Sequence, residues 1–156
     1  MRRIVTAALI AALALLTACT GRFHTDAPME RFRFLHSGMS TGDIYTLTAE
    51  KTDEGWEAAF DLFCTHEFRL PMTQEDADAL AAIIDSQDLW AWNGFDKAPR
   101  NVKDGSGFDL HIRFADGQKL SASGENAFPD GYAAAESAIL EYFIHLMEKN
   151  GMTNPF

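Results

Sequence analysis

The sequence predicts an α+β fold: a five-stranded, mostly antiparallel sheet with two helices on one face, in the order βββ-α-ββ-α. Three observations predict it. Strand-like segments follow one another across short polar turns, which forces antiparallel pairing. Two stretches carry helical periodicity, and an amphipathic helix needs a sheet face to bury against. The 138 residues that follow an 18-residue apolar leader, in a chain of 156, suffice for one domain with its own core.

The elements follow in order. "ERFRFLHSG" alternates Phe32 and Phe34 with Arg31 and Arg33, a strand signal. "GDIYTLTAEK" is dense in β-branched and aromatic residues and makes a second strand. "TDEG" turns the chain, and "WEAAFDLFCTHEFRL" is expected to run as a long third strand, bulged or broken near Cys64 to His66. Counting by twos puts Phe60, Leu62, Cys64, His66 and Phe68 on one face, with Cys64 in the core. A helix is predicted from residue 74 to about 88. Thr73 and Asp76 form an acidic variant of the capping box, and Glu75, Asp76 and Asp78 suit the positive end of the helix. Ala77, Leu80, Ala81, Ile84 and Leu89 make its apolar face.

"WAWNGFDKAPRNVKDGSG" has no period and reads as loop. "FDLHIRF" places Phe108, Leu110, Ile112 and Phe114 on one side and Asp109, His111 and Arg113 on the other, a half-buried strand. "ADGQ" carries an Asp-Gly turn signal, and "KLSAS" returns as a strand. Gly124 is expected to let the chain leave the sheet at positive φ. The closing helix, "YAAAESAILEYFIHLMEKNG", has Asp130 as its expected cap and Gly151 as its terminator. Ala135, Ile139, Tyr142, Phe143 and Leu146 form its buried face.

The leader fixes an expected address. Arg2 and Arg3 precede an apolar run over residues 4–16, roughly 13 residues against the 20 or so needed to span a bilayer. A basic start, a short apolar run and small residues before a boundary read as a secretory signal peptide. Leu16-Thr17-Ala18-Cys19 resembles the lipobox of bacterial lipoproteins. That resemblance implies cleavage between Ala18 and Cys19 and a diacylglyceryl group on the Cys19 sulfur. Two or more acyl chains anchor a protein stably, at about 0.8 kcal/mol per buried CH₂. The expected organisation is a removed signal at 1–18, a lipidated N-terminus and tether at 19–29, and a single domain at 30–156. In Gram-negative families an Asp after the cysteine marks inner-membrane retention, and Thr20 stands there instead, which favours the outer membrane. The expected location is lipid-anchored at the cell membrane or outer membrane, with the domain outside the cytoplasm. Residues 107–147, with their Asp-Gly turn, "SASG" strand end and Phe128-Pro129 before the helix, also resemble segments of uncharacterised small bacterial lipoproteins. This second resemblance implies no activity and no ligand.

Charge narrows the partners. The chain has 13 Lys+Arg against 23 Asp+Glu, a net −10, and loss of Arg2 and Arg3 with the signal leaves 11 against 23, or −12. Such a surface repels phosphate backbones, which excludes nucleic acid as a partner. It repels anionic headgroups too, so membrane lipid is held through Cys19 rather than through the protein face. With Cys19 lipidated, Cys64 has no partner within the chain.

Chemistry-bearing motifs are sparse. The Gly-x-Ser-x-Gly spacing occurs once, at Gly38 to Gly42 within "SGMSTG", where serines beside glycines read as ordinary turn chemistry rather than a nucleophile elbow, and there is no phosphate loop, no Cys-x-x-Cys and no His pair at i, i+4. Cys64 with His66, and Asp109 with His111, are two-ligand arms lacking further ligands. No metal is therefore expected, and no cofactor beyond the acyl lipid on Cys19. The main candidate binding surface is the loop of Trp90, Trp92 and Phe95 with Lys97, Arg100 and Lys103, because aromatic and arginine side chains anchor interfaces. The competing reading makes the indoles a lid on the core. A second candidate is the outer sheet face, Asp109, His111 and Arg113 with Lys119, Ser121 and Ser123. A non-enzymatic module that binds an envelope protein or cell-wall component fits these features. An inhibitor or structural factor for an envelope protein shares them all, and an enzyme of dispersed residues would be sought at Asp109 and His111.

Overall fold

In the computed structural model, which describes residues 23–39, 44–62, 66–99 and 105–153, four strands precede the first helix. They are β1 (Met29–Ser37), β2 (Ile44–Thr52), β3 (Gly55–Leu62) and β4 (His66–Met72). Next come α1 (Gln74–Ser86), a 3₁₀ turn (Leu89–Trp92), β5 (Asp96–Lys97), β6 (Gly107–Phe114), β7 (Lys119–Glu125) and α2 (Tyr132–Lys149). Ala18, Cys19, Cys64, Arg100 and Lys103 lie outside the described residues.

The α+β class with two helices holds, but the sheet has seven strands rather than five, in the order β4-β3-β2-β1-β6-β7-β5. Neighbours pair antiparallel except β5, which runs parallel to β7. The expected third strand is two strands. β2 begins at Ile44 and its pairing with β3 runs out at Tyr45 opposite Leu62, so a strand continuing past Leu62 would have no β2 residue to pair with. The chain instead folds back and pairs Leu62 with His66 and Phe60 with Phe68. One face therefore forms by cross-strand pairing where the sequence suggested a single extended run. The seventh strand, β5, is a two-residue parallel addition carved from the irregular loop.

The core lies on one face of the sheet. Phe32, Phe34, Leu47, Phe60, Leu110 and Leu120 are fully buried there. From α2, Phe143 stacks on Phe32 at 6.1 Å and meets Phe60 edge-on at 5.2 Å, and Tyr132 lies 4.9 Å from Phe108. α1 adds Ala77, Leu80 and Ile84 to the same core. The Trp56 indole N–H donates to Gln74 Oε1 at 3.1 Å, tying α1 to β3.

The capping box is formed: Thr73 Oγ1 accepts from the Asp76 N–H, and Asp76 Oδ2 accepts from the Thr73 N–H at 2.8 Å. Asp76 also holds the second helix, since Lys149 Nζ stands 2.7 Å from its Oδ1 and the Tyr142 hydroxyl donates to its carbonyl at 2.7 Å. Burial opposes ionisation of Asp76, but the hydrogen bonds from Lys149 and Thr73 outweigh it and hold the carboxyl below its ordinary value.

Two local expectations are corrected. The cap of α2 is Gly131, at φ +79°, and not Asp130, whose carbonyl instead accepts the Trp92 indole N–H. Gly124 is not at positive φ; a Cβ there would meet the Ala127 carbonyl oxygen at 2.0 Å, so the position is selected by close approach of backbone. In the segment expected to serve as a tether, residues 19–29, the described part is packed. Phe23 and Ala27 join the core, Thr25 donates to Asp116 at 2.7 Å, and the Ala115 N–H donates to the Pro28 carbonyl at 2.9 Å.

Candidate functional site

The aromatic loop is interior. Trp90 is 9% exposed and Trp92 2%. Trp90 stacks on Phe114 at 5.2 Å and donates its N–H to Asp85 Oδ1 at 2.7 Å. Trp92 lies against Tyr132 and Phe108, each at 5.8 Å. Phe95 is half-buried against Phe108, with Lys97 Nζ 5.0 Å above its ring. These rings close one end of the core, so the indoles are not available as interface anchors.

The opposite sheet face carries no helix among the described residues, and strand register lays its side chains out in rows. One row reads Glu57, Glu50, Arg31, Arg113, Lys119 across β3, β2, β1, β6 and β7. The next reads Arg69, Ala59, Thr48, Arg33, His111, Ser121 from β4 onward. A third ends in Leu35, Asp109 and Ser123. The second candidate group, Asp109, His111 and Arg113, is thus brought together with Arg31 and Arg33 of β1 and Lys119 and Ser121 of β7.

Arg31 directly opposite Arg113 is a like-charge pair, which costs free energy on a sheet surface. Glu50 relieves it, its carboxylate 3.6 Å from Arg31 and 3.9 Å from Arg113, and Glu30 stands 3.4 Å from Arg113 Nε. That Nε is buried and makes no hydrogen bond. Arg33 pairs with Asp109 at 2.7 Å. Lys119 has no carboxylate partner among the described residues. Together Arg31, Arg33, His111, Arg113, Lys119 and Ser121 line a shallow depression of about 280 Å³.

His111 joins two neighbours there. Its Nδ1 is 3.1 Å from Ser121 Oγ and its Nε2 is 3.1 Å from Asp109 Oδ1. A Ser–His–Asp chain is catalytic when its hydroxyl faces a substrate beside free oxyanion donors. Here the Ser121 N–H donates to Asn93 Oδ1 at 3.0 Å, the Ser123 N–H donates to the Phe95 carbonyl at 2.8 Å, and Asp109 Oδ1 is shared with Arg33. His111 and Ser121 are direct cross-strand partners and Asp109 precedes His111 by two, so pairing alone produces the chain. What it offers is a row of fixed polar groups beside cationic ones.

No protein-family model matches the chain, and no curated protein matches it.

A second polar cluster lies at the other end of β1. His36 Nδ1 stands 2.6 Å from Glu136 Oε1, and the Tyr45 hydroxyl donates to the same oxygen at 2.9 Å. Burial opposes the Glu136 charge, but hydrogen bonds from His36, Tyr45 and Tyr132 outweigh it and hold the carboxyl below its ordinary value. Burial and Glu136 push both tyrosine hydroxyls well above their ordinary range. This cluster fastens α2 to β1 and β2. Among the described residues, no group of three or more His, Cys, Asp or Glu converges to hold a metal ion.

Sequence reasoning left Arg31 and Arg33 out of the outer-face group. Their alternation with Phe32 and Phe34 signalled the polar side. What no local signal carries is that β1 pairs with β6, some 76 positions away along the chain at the Arg33–Asp109 contact.

Proposed function

We propose that this chain is a lipid-anchored, non-enzymatic binding domain of the cell envelope, held outside the cytoplasm at the cell membrane or outer membrane. Its helix-free sheet face, centred on Arg31, Arg33, His111, Arg113 and Lys119, takes an anionic group, a carboxylate or phosphate borne by an envelope component. One observation carries this reading: a cationic depression lies on the open face of a chain whose net charge is −10. Arginine forks match carboxylate and phosphate geometry. The anchor supports the location, since Phe23, already packed, follows Cys19 by four residues, a reach of about 14 Å at most.

The test is a titration of the mature full-length protein in neutral detergent with citrate and with inorganic phosphate, followed through backbone amide shifts. Saturable shifts confined to β1, β6 and β7 are expected. Absence of shifts on those strands with both anions would overturn the binding surface. For the anchor, Cys19→Ala is expected to leave an uncleaved precursor, and a variant that still matures and stays in the detergent phase would overturn it.

A further inference from the structure

We infer that the depression on the open sheet face takes its anion together with a proton, which His111 carries. The inference rests on the anion-binding reading of that face and adds its regulation by pH. His111 and Ser121 both line the depression, and they are direct cross-strand partners on β6 and β7.

Hydrogen bonds fix which ring nitrogen holds a proton. An ionised carboxylate only accepts. Asp109 Oδ1, 3.1 Å from His111 Nε2 and 2.7 Å from Arg33, therefore holds the neutral imidazole in its Nε2–H form. The bare Nδ1 then accepts from the Ser121 hydroxyl across 3.1 Å. In that state the hydroxyl proton is spent on the ring. A second ring proton reverses the bond: Nδ1–H donates to Ser121 Oγ, and the hydroxyl proton is freed to donate into the depression. The Ser121 N–H is already held by Asn93 Oδ1 at 3.0 Å, so the hydroxyl turns on a fixed backbone. One proton thus supplies both a positive charge and a further donor to the anion.

The surroundings couple that proton to the anion. Arg33 of β1 stands directly opposite His111, with Arg31 two residues away on the same strand. Arg113 lies two residues along β6, opposite Lys119 of β7. These four cations line the depression and oppose a charge on the ring. Asp109 favours it, and Asp96 of β5 lines an adjoining hollow with His111. Glu30 and Glu50 face Arg113 and Arg31 rather than the imidazole. An anion seated among the cations removes the repulsion that protonation otherwise meets. Such coupling is reciprocal: the proton strengthens anion binding by the same factor as the anion strengthens proton binding. The tighter state is fully present below the imidazole's titration midpoint and is lost as pH rises through it.

Sulfate is the probe, because it keeps its double charge throughout the range in which an imidazole titrates, about pH 5 to 8, and phosphate does not. Mature full-length protein in neutral detergent is titrated with sodium sulfate at about pH 5.5 and about pH 8, against sodium chloride of equal ionic strength, and followed through backbone amide shifts. Binding about fivefold tighter at the lower pH is expected, at the low end of ordinary couplings because the face is exposed. Saturating sulfate should raise the midpoint of the His111 imidazole resonances by about 0.7 of a pH unit, the logarithm of the same factor. In His111→Gln the ratio of the two affinities should lose its pH dependence, whatever the affinity itself. Ser121→Ala should keep only the part of the ratio that charge supplies. His145→Gln, which alters an exposed ring on α2 outside the depression, should keep the whole ratio. Sulfate binding of equal strength at both pH values, or a ratio retained in His111→Gln, would overturn the proton coupling and leave the anion site standing. Absence of sulfate-specific shifts at both pH values would overturn the anion site, and the coupling with it.

Discussion

The two faces of the sheet are built from the same strands in strict alternation, yet they do different work. From β1, Phe32 and Phe34 go into the core while Arg31 and Arg33 stand on the open face. From β6, Leu110 and Ile112 are buried while His111 and Arg113 line the depression. On the helix side every large side chain meets another, and removal leaves a void. On the open side each charge is partly solvated, and removal costs the fold little. Under the proposed function, stability and recognition are separated by one residue along each strand, so substitutions on the two sides should have separable consequences.

The largest effects lie on the helix side. Phe143→Ala removes a fully buried ring that touches Phe32 and Phe60, and should lower unfolding free energy by about 3–5 kcal/mol in a denaturant titration. Trp92→Ala should cost a similar amount; a cost below about 1 kcal/mol would return that indole to the surface and blur the division.

A middle group consists of polar ties between helix and sheet. Asp76→Ala removes the capping acceptor of α1 and the partner of Lys149, with an expected loss of about 1–2 kcal/mol. Acid should expose the same ties. Asp76 and Glu136 have carboxyl pKa values lowered by folding, so their contribution is full above the unfolded values of about 4 and is lost as pH falls through the folded ones. Unfolding midpoints measured from pH 6 downward should drop below about pH 4, and Glu136→Gln should flatten that drop. An unchanged acid limb in the variant would remove Glu136 from the list of ties.

Smallest of all should be the stability effects on the open face. Arg33→Gln and Lys119→Glu should each shift unfolding free energy by no more than about 0.5 kcal/mol, while weakening anion binding. A larger stability loss would show that the rows of charge serve the fold itself.

Period-two alternation made both faces legible in β1 and β6, because a side chain's face depends only on its parity along the strand. The capping box at Thr73 and Asp76 was legible for the same local reason. The hairpin of β3 and β4 was not, since it depends on where the neighbouring strand ends. The depression was half legible: His111 and Arg113 announced a polar face, but Arg31 and Arg33 join it only through long-range pairing. Trp90 and Trp92 had the composition of an interface anchor, and composition does not distinguish a ring that binds from a ring that closes a core. The packed segment at Phe23 escaped notice because its polar neighbours, Thr25 and Asp26, have the composition of a tether.

The central claim is that recognition lies on the helix-free face. Its most direct test is the citrate affinity of Lys119→Glu, in mature full-length protein, measured by calorimetry beside the unaltered chain. An affinity at least about tenfold weaker, equivalent to about 1.4 kcal/mol, is the predicted result. Equal affinity in the two proteins would contradict the claim and move the binding surface elsewhere.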